Sequence, residues 1–372
     1  MIQSKRNIGI VTWYEPSNYG TGLQAFALKK YFEILGYNVC FIEDRRMNGI
    51  NIKDSRLKKM MSIIWWKKQI YRYDNKLREQ MQNEYVNRFC KVENITTNKD
   101  IIRLNDTIDV FVSGGDQIWN PMVTKPYFML SFVDPAKPKI SFGTSVGVKE
   151  IPDEYCKQYD EYLSSYKYIS VREKQSVDAL KKCISNSVEE VVDPTFLLSS
   201  AEWENLLNEA KLNTAYFSSP YVFCYFVGER HSYWDYVKKI RKKCGYNVVV
   251  LPINDEGYNN SFKKYVKASP AEFLWLIKHA AIVCTDSFHA TVFSMQFGKD
   301  FYVLKRFMDS DKQSQNGRIY NLLEQYGIQD RIVEDETVFN YSSRIDYKKI
   351  WKIMDENRNR SRKWLKEVMR KL

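Results

Sequence analysis

His289 and Arg172 are the residues of this 372-residue sequence best suited to chemistry, because each lies at the exit of a predicted strand. Imidazole titrates near neutral pH, so a histidine at a strand exit is suited to act as a general acid. The planar guanidinium of an arginine binds a phosphate or a carboxylate through two parallel hydrogen bonds. Together they indicate proton transfer on an anionic substrate. The simpler alternatives are a histidine hydrogen-bonded at a helix start and an arginine paired with Glu173.

The elements that must position these residues alternate between apolar runs and helical patterns. Residues 8–13 form a short apolar run, apolar residues then recur at helical spacing over 23–34, and Gly36 precedes a second apolar run at 38–42. Glycine is the residue that a helix C-terminus favours. A strand, loop, helix and strand in this order predict a right-handed crossover in a parallel sheet.

Two series of such units follow one another along the chain. The further predicted strands lie at residues 108–113, 139–143, 168–171, 189–192, 221–227, 247–252, 280–284 and 301–304. We therefore predict an α/β fold of two Rossmann-type domains, 1–195 and 196–343, with a cleft between them and a basic C-terminal helix at 344–372. Ligands of open α/β sheets bind at the carboxyl ends of the strands, where His289 and Arg172 stand.

Composition and cysteine usage exclude several classes of protein. With 44% hydrophobic and 27% charged residues, the chain is predicted to be soluble and globular. Its seven cysteines are odd in number and form no Cys-x-x-Cys pair, so we expect no disulfide framework, no zinc knuckle and a reducing compartment. Neither a signal peptide nor an 18-residue apolar run is recognisable, which predicts a cytoplasmic protein. Histidine spacing predicts no metal site.

The net charge of +12 is concentrated in two segments, 53–72 and 344–372, which carry +6 and +7. The first interleaves lysines with apolar residues and paired tryptophans, as membrane-surface helices do. A helix that packs within the domain is an equally good interpretation, and no nucleic-acid partner is predicted. An anionic membrane surface on the cytoplasmic side is thus a predicted partner. The second segment is either a helix that crosses back to the first domain or a solvent-exposed tail.

Four motifs, taken in their order and spacing, resemble the polysaccharide pyruvyl transferase family, whose members transfer the enolpyruvyl group of phosphoenolpyruvate onto sugar hydroxyls as a ketal. The resemblance covers about residues 8–330 and implies a GT-B-like fold, with the acceptor sugar against the first domain and the donor toward the second. The motifs are Asn18-Tyr19-Gly20 with Leu23-Gln24-Ala25, Ser113-Gly114-Gly115-Asp116-Gln117-Ile118-Trp119-Asn120, Ser170-Val171-Arg172-Glu173, and Asp286-Ser287-Phe288-His289-Ala290-Thr291.

The resemblance also implies roles for single residues. His289 is the predicted acid, and Asp116 is a candidate base, although an aspartate that caps the next helix is an equal alternative. Trp119 is predicted to stack on a sugar ring, with a place in the core as the commoner alternative. The predicted donor-binding residues are Arg172, Ser287, Thr291, Arg318 and Lys305. The predicted acceptor-binding residues are Asn18, Tyr19, Gly20, Gly114, Gly115, Gln117, Trp119 and Asn120.

Ser287 departs from the family pattern, because many members carry an arginine at this position, where it contacts the donor phosphate. Either another cation replaces it, with Arg318, Lys305 or Arg306 as candidates, or the donor is not phosphoenolpyruvate. Serine and threonine hydroxyls here would give only neutral hydrogen bonds, which are weaker than charge-assisted ones.

The sequence thus predicts a metal-independent, cofactor-free pyruvyl transferase of surface-polysaccharide assembly. Its predicted partners are phosphoenolpyruvate and a glycan or polyprenyl-diphosphate-linked saccharide. Two alternatives remain: a GT-B glycosyltransferase that uses a nucleotide sugar, and a non-catalytic glycan-binding relative.

Overall fold

The computed structural model describes residues 5–14, 18–46, 74–89 except 75, 82 and 87, 91–265, 267–308, 314–336 and 345–372. Its strands form two main parallel sheets and one parallel pair. In chain order they are β1 Asn7–Val11, β2 Asn38–Asp44, β3 Lys91–Ile95, β4 Val110–Gly114, β5 Lys139–Phe142, β6 Ile169–Val171, β7 Val188–Glu190, β8 Tyr221–Tyr225, β9 Asn247–Val250, β10 Lys263–Lys264, β11 Ile282–Thr285, β12 Asp300–Leu304 and β13 Ile332–Val333.

The first sheet has the strand order β3-β2-β1-β4-β5, and every neighbouring pair is parallel. An isolated bridge between Ile140 and Tyr168 connects it to the pair β6-β7. All five residues of β4 are buried, as expected for a strand covered on both faces. The order reverses between β1 and β4, and such a reversal opens a crevice at the carboxyl ends of the strands.

The second sheet repeats this plan with the order β10-β9-β8-β11-β12-β13, again entirely parallel. Its reversal lies between β8 and β11. The predicted fold class is confirmed, since both halves are doubly wound α/β units. All predicted strands are present. Three edge strands were not predicted: β3 carries polar residues, and β10 and β13 span only two residues each. The boundary placed at residue 195 remains a prediction.

Helices connect the strands and cover both faces of the sheets. They are α1 Tyr19–Ile34, α2 Asn98–Thr107, α3 Asp153–Leu163, α4 Lys174–Leu180, α5 Ser200–Leu207, α6 Ser232–Cys244, α7 Asp255–Tyr258, α8 Pro270–His279, α9 Phe288–Gln296, α10 Gly317–Gln325 and α11 Tyr347–Lys371. Helical residues also occur between 74 and 89. Helix α1 ends as predicted before Gly36, whose φ of 94° lies in the left-handed region. Ser269 and Glu272 cap α8 reciprocally.

Helix α11 crosses from the second domain back to the first. Near its start, the Trp351 indole nitrogen donates to the Met295 carbonyl over 3.1 Å. Further along, Ser361 accepts from the backbone N–H of Val192 at 3.0 Å, and the Trp364 ring lies 6.2 Å from that of Phe142. Its buried residues recur at helical spacing, and most of its charged side chains lie on the opposite face; Arg358 is buried and donates to the Phe196 carbonyl at 2.8 Å. The C-terminal segment is therefore a crossing helix rather than a tail. The other basic segment, 53–72, for which a membrane-surface helix was predicted, lies outside the described residues.

The cysteine expectation was partly wrong. The structure joins Cys156 of α3 to Cys183 in a disulfide, because the packing of α3 beside the residues after α4 brings their Cα atoms within 4.6 Å. The two residues are 27 positions apart and match no local motif. Within the described ranges, none of the helices is both long and apolar enough to cross a bilayer.

Candidate functional site

The crevices of the two domains meet where α1 and α9 begin. Gly20, in the first turn of α1, lies so close to the imidazole of His289 that a Cβ atom at position 20 would overlap the ring. The two residues are brought together by the carboxyl ends of β1 and β11, which belong to different sheets. Glycine is therefore required at position 20 by close packing across the domains.

Arg172 forms the centre of a buried cluster of charges. Its side chain is 0% exposed, and its Nη1 atom donates to Asp193 at 2.6 Å. Nη2 donates to Asp116 at 3.2 Å, and Nε donates to Glu173 at 3.3 Å. The ring of Phe288 lies 4.5 Å from the guanidinium carbon. Three carboxylates around one guanidinium compensate its charge in full, so the predicted role of Arg172 as the main donor clamp has no support in this arrangement.

The cluster shifts the pKa values of its members. Burial lowers the pKa of Arg172, but the carboxylates outweigh burial and raise it above its ordinary value. Burial raises the pKa of Asp116, but Arg172 and His289 outweigh it and hold the pKa below the usual range. A carboxylate with a lowered pKa is a weaker base. Asp116 also caps no helix; it takes a left-handed backbone conformation with φ of 49° and holds Arg172. The arrangement thus speaks against Asp116 as the base.

His289 lies beside this cluster and is 5% exposed. Its Nε2 atom lies 3.6 Å from Oδ2 of Asp193 and has no hydrogen-bond partner among the described residues. Asp193 is itself fixed by Thr195, whose backbone N–H and hydroxyl donate to Oδ1 at 2.9 and 2.6 Å. Burial raises the pKa of Asp193, and the approach of His289 together with Arg172 overrides this and lowers it.

Arg318, at the start of α10, is the second cation of the site. It is 9% exposed, its Nη1 atom lies 3.9 Å from Asp116, and its Nη2 atom donates to Gln315 at 3.1 Å. With its amide oxygen turned toward Arg318, Gln117 accepts from both Nη atoms at 2.8 Å. Burial and the charge of Arg172 lower the pKa of Arg318 to about 9. Within the described ranges its Nε atom has no partner, so this cation is poorly compensated.

Two cavities open between the domains beside these residues. One, of about 300 Å³, is lined by Arg172, Asp193, Phe288 and Arg318 among others. The other, of about 500 Å³, is lined by Asn120, Met122, Val123, Phe307 and Gln315 among others. The first is lined by cations, Arg318 and Arg360 among them, and also by carboxylates such as Glu190 and Glu324, whereas the lining of the second is more apolar.

The start of α9 holds the motif residues tightly. Ser287 caps the helix and its hydroxyl accepts from the Ala290 N–H at 3.5 Å, while the Thr291 hydroxyl donates to the Ser287 carbonyl at 2.9 Å. Thr291 is 0% exposed, so its hydroxyl is not available to a donor substrate. Asp286 accepts from the backbone N–H groups of Val227 and Gly228, both at 2.7 Å.

Arg306 is the cation next to Ser287. Its Nε atom lies 3.4 Å from the Asp286 carboxylate and its Nη2 atom donates to the Asp286 carbonyl at 3.3 Å. The side chain is 23% exposed. Lys305, the predicted neighbour, instead pairs with Glu334 and lies over the Tyr320 ring. Of these two candidate cations, Arg306 is therefore the one that lies beside Ser287.

Two predicted acceptor residues prove to be packing residues. Trp119 is 0% exposed, and its indole nitrogen donates to the Phe128 carbonyl at 3.2 Å, so it has no free face for a sugar. Tyr19 is also 0% exposed and stacks on Phe273 of the second domain with the ring centroids 4.7 Å apart. Its large apolar ring is better buried at the domain interface than left in a solvated cleft.

The remaining acceptor candidates fall into two groups. Gly114 and Gly115 lie under α1, since a Cβ atom on either would overlap Leu28 or Gln24. Asn18 caps α1 by accepting from the N–H of Gly20 at 3.0 Å. By contrast, the Gln117 amide lies 3.0 Å from the Gln315 amide across the domains and 3.2 Å from the amide of Asn120, which lines the apolar cavity.

Asp193 was absent from the predicted site, whereas Arg306 was named only as one possible replacement for the family arginine. The position of Arg306 beside Asp286 depends on how the loop after β12 folds back beside β11. Asp193 directly follows the predicted strand at 189–192, so the rule that placed His289 and Arg172 could have found it.

Comparison with known proteins agrees with the fold and the motifs. A model of the family described as polysaccharide pyruvyl transferase matches residues 18–306. No curated protein matches the chain. Among solved structures, the UDP-GlcNAc 2-epimerase from Neisseria meningitidis bound to UDP-GlcNAc is similar at 12% identity and a TM-score of 0.51, covering 98% of this chain and 100% of that one. The Arabidopsis thaliana UGT89C1 complexed with quercetin is similar at 10% identity and a TM-score of 0.45, covering 98% and 93%. The two doubly wound parallel sheets and the similarity to the Neisseria meningitidis epimerase identify the fold as GT-B-like.

Proposed function

Because the chain belongs to the polysaccharide pyruvyl transferase family, we propose that it transfers the enolpyruvyl group of phosphoenolpyruvate onto two hydroxyls of a sugar as a ketal. One observation carries the proposal: segments of all four motifs meet around one point. Gly20 contacts His289, Asp116 is bonded to Arg172, and Arg172 lies against Phe288. These residues are up to 269 positions apart in the sequence, and their convergence where the two sheets face each other is what a shared site requires.

In the proposed reaction, protonated His289 gives its proton to C3 of the donor, and positive charge develops at C2. One sugar hydroxyl attacks C2, and its proton passes to the now neutral imidazole. The C2–O bond to phosphate then breaks with its electron pair, and the second hydroxyl attacks C2. One hydroxyl proton replaces the proton spent on C3 and the other leaves with the phosphate, so no cofactor is required.

Arg318 and Arg306 are the proposed donor-binding cations. Arg318 borders the 300 Å³ cavity and is only weakly compensated by Asp116 at 3.9 Å. Arg306 takes the place of the arginine that the family carries at position 287, since it is bonded to the neighbouring residue Asp286. The predicted clamp Arg172 is reassigned in this proposal: it fixes Asp116 and Asp193.

The acceptor is proposed to be a glycan or lipid-linked saccharide that enters through the 500 Å³ cavity. Asn120 and Gln315 line this cavity, and Gln315 accepts a hydrogen bond from Arg318 at 3.1 Å. Met122 and Val123 are 57% and 47% exposed at the same cavity and offer an apolar surface to the rest of the acceptor. The cytoplasm is the proposed location, because phosphoenolpyruvate is made there.

Thermal unfolding with phosphoenolpyruvate, with UDP-sugars and without ligand tests the donor. A ligand at 100 times its dissociation constant stabilises the folded state by about 2.7 kcal/mol, which is enough to raise the melting midpoint measurably. We expect phosphoenolpyruvate to raise it and UDP-sugars to leave it unchanged. The opposite result would establish the nucleotide-sugar alternative, and no effect of either would favour a non-catalytic relative.

A further inference from the structure

The two ring nitrogens of His289 face different surroundings. Nε2 lies 3.6 Å from the Oδ2 atom of Asp193 and is buried without a hydrogen-bond partner among the described residues. Nδ1 instead faces Gly20 at the start of α1, as shown by the overlap that a Cβ atom at position 20 would produce. Nε2 thus points into the charge cluster around Arg172, and Nδ1 points toward the domain interface.

The carboxylate of Asp193 is fixed in position by hydrogen bonds, so the protonation of the nearby His289 ring is expected to follow its charge. Its Oδ1 atom accepts two hydrogen bonds from Thr195, and its Oδ2 atom accepts one from Arg172 at 2.6 Å. Asp193 is 3% exposed, and its charge is fixed by these bonds. An oxygen atom that is ionised and immobile favours an N–H group on the nearest ring nitrogen, which here is Nε2.

The distance of 3.6 Å is longer than a formed hydrogen bond, and such bonds at active sites often shorten only when substrate binds. The alternative partners of Nε2 are few. Asp116 is close enough to interact with the charge of His289, but its Oδ1 atom is bonded to Arg172. Asp193 is therefore the acceptor that geometry offers to Nε2.

We propose that Asp193 is a positioning residue that holds the Nε2–H group of His289, so that Nδ1 is the nitrogen that exchanges the proton with the substrate. This inference rests on the proposed function for the identity of the substrate but not for the proton's location. In the protonated ring, Nε2–H points to Asp193 and Nδ1–H is given up. After transfer the neutral ring keeps Nε2–H, and its free Nδ1 atom is ready to accept the hydroxyl proton.

Nitrogen-15 NMR of the full chain with labelled histidines tests the proton's location without any substrate. The sequence contains only three histidines, and His231→Gln and His279→Gln variants assign their signals. His279 serves as an internal reference for the other tautomer, Nδ1–H, because its Nδ1 atom lies 2.9 Å from the Trp275 carbonyl and must carry the proton there. We expect neutral His289 to be the Nε2–H form. Neutral His289 in the Nδ1–H form would overturn the proposal.

Two variants separate positioning from general stability. Asp193→Asn should move His289 toward the Nδ1–H form and lower kcat at least tenfold, with a smaller change in KM for phosphoenolpyruvate. Asp116→Asn removes another buried carboxylate of Arg172 and should leave the tautomer of His289 unchanged. Equal spectra in the two variants would contradict the proposal. If Asp193→Asn does not fold, the wild-type spectrum alone still shows which ring nitrogen of His289 carries the proton.

The result is distinguishable from a failure of the proposed function. If His289 has the Nε2–H form in the wild type and loses it in Asp193→Asn, but the protein does not act on phosphoenolpyruvate, then the positioning role of Asp193 stands and the proposed donor is wrong. If the protein forms the ketal while neutral His289 has the Nδ1–H form, then the proposed function stands and the positioning role of Asp193 is wrong.

Discussion

The hydroxyl of Tyr19 donates a hydrogen bond of 2.6 Å to the carbonyl of Ala268, and these two residues belong to different domains. The bond is buried, and the Tyr19 ring stacks on Phe273 beside it. A residue that was predicted to bind the acceptor therefore fastens the first domain to the second at the edge of the site. Gly20, the next residue along α1, packs against the imidazole of His289, so this hydrogen bond lies directly beside the site.

Tyr19→Phe should lower the free energy of unfolding by about 1–3 kcal/mol, because the Ala268 carbonyl would remain buried without a partner. Denaturant unfolding measures the change. Tyr37→Phe is the matched control, since Tyr37 is half-buried and contacts the Phe32 ring. If the variant at position 19 is as stable as the control but binds acceptor more weakly, the original acceptor interpretation of Tyr19 is restored.

His289→Gln should reduce kcat by a factor of about 10² to 10⁴, the usual contribution of a general acid, with little change in thermal stability. Release of phosphate from phosphoenolpyruvate measures the rate. The control is His279→Gln, an exposed histidine on α8, which should keep the wild-type rate. A His289→Gln variant with the wild-type rate would remove His289 from the reaction.

Arg306→Ala should raise KM for phosphoenolpyruvate about 10- to 100-fold, because a hydrogen bond to a charged group contributes about 1.5–3 kcal/mol. Asp286 keeps the bonds from Val227 and Gly228, so we expect the fold to survive. Adding Ser287→Arg, which restores the arginine of the family pattern, should recover much of the affinity. The exposed Arg241 of α6 provides the control, and an equal effect of Arg241→Ala would mean that the loss reflects overall charge.

Gly115→Ala should destabilise the chain by about 2–5 kcal/mol, since φ at this position is 72° and the new Cβ atom would overlap the amide of Gln24. Gly245→Ala isolates the backbone contribution, because φ there is 74° and no atom lies within 4 Å of the added Cβ. That variant should lose only about 1–2 kcal/mol. Thermal or urea unfolding of both variants would show whether packing against α1 adds to the conformational cost.

The free energy of unfolding should fall as the pH drops below about 4, the ordinary range of aspartate. Asp193 and Asp116 both have pKa values that are lower in the folded state than in the unfolded state. They therefore stabilise the fold above the unfolded pKa and lose this contribution as the pH falls. Asp193→Asn should flatten the decline in urea titrations from pH 7 to pH 3, and the exposed Asp160→Asn should not.

The positions of most strands, and the strand exits as the place of the site, could be predicted because they depend on local patterns. Apolar runs that end in glycine or polar residues identified β1, β4, β6 and β11 and placed His289 and Arg172 at one site. What surrounds Arg172 could not be predicted, because Asp116 and Asp193 approach it from 56 and 21 residues away. A fully compensated arginine and a phosphate-binding arginine have the same local sequence. Trp119 is a similar case, since its burial is decided by the residues from 126 to 166 that fold over it.

Helix α11 also sets a condition on how the first domain is made. The hydrogen bond from the Val192 N–H group to Ser361 can form only after Ser361, 169 residues further along the chain, has been synthesised. At roughly 5–20 residues per second, the ribosome needs on the order of 10 to 30 s to synthesise that stretch. During this time the first domain exists without the helix that covers Phe142 and Tyr31. Its nascent form must therefore hold these two side chains without the cover of α11 until that helix has been synthesised.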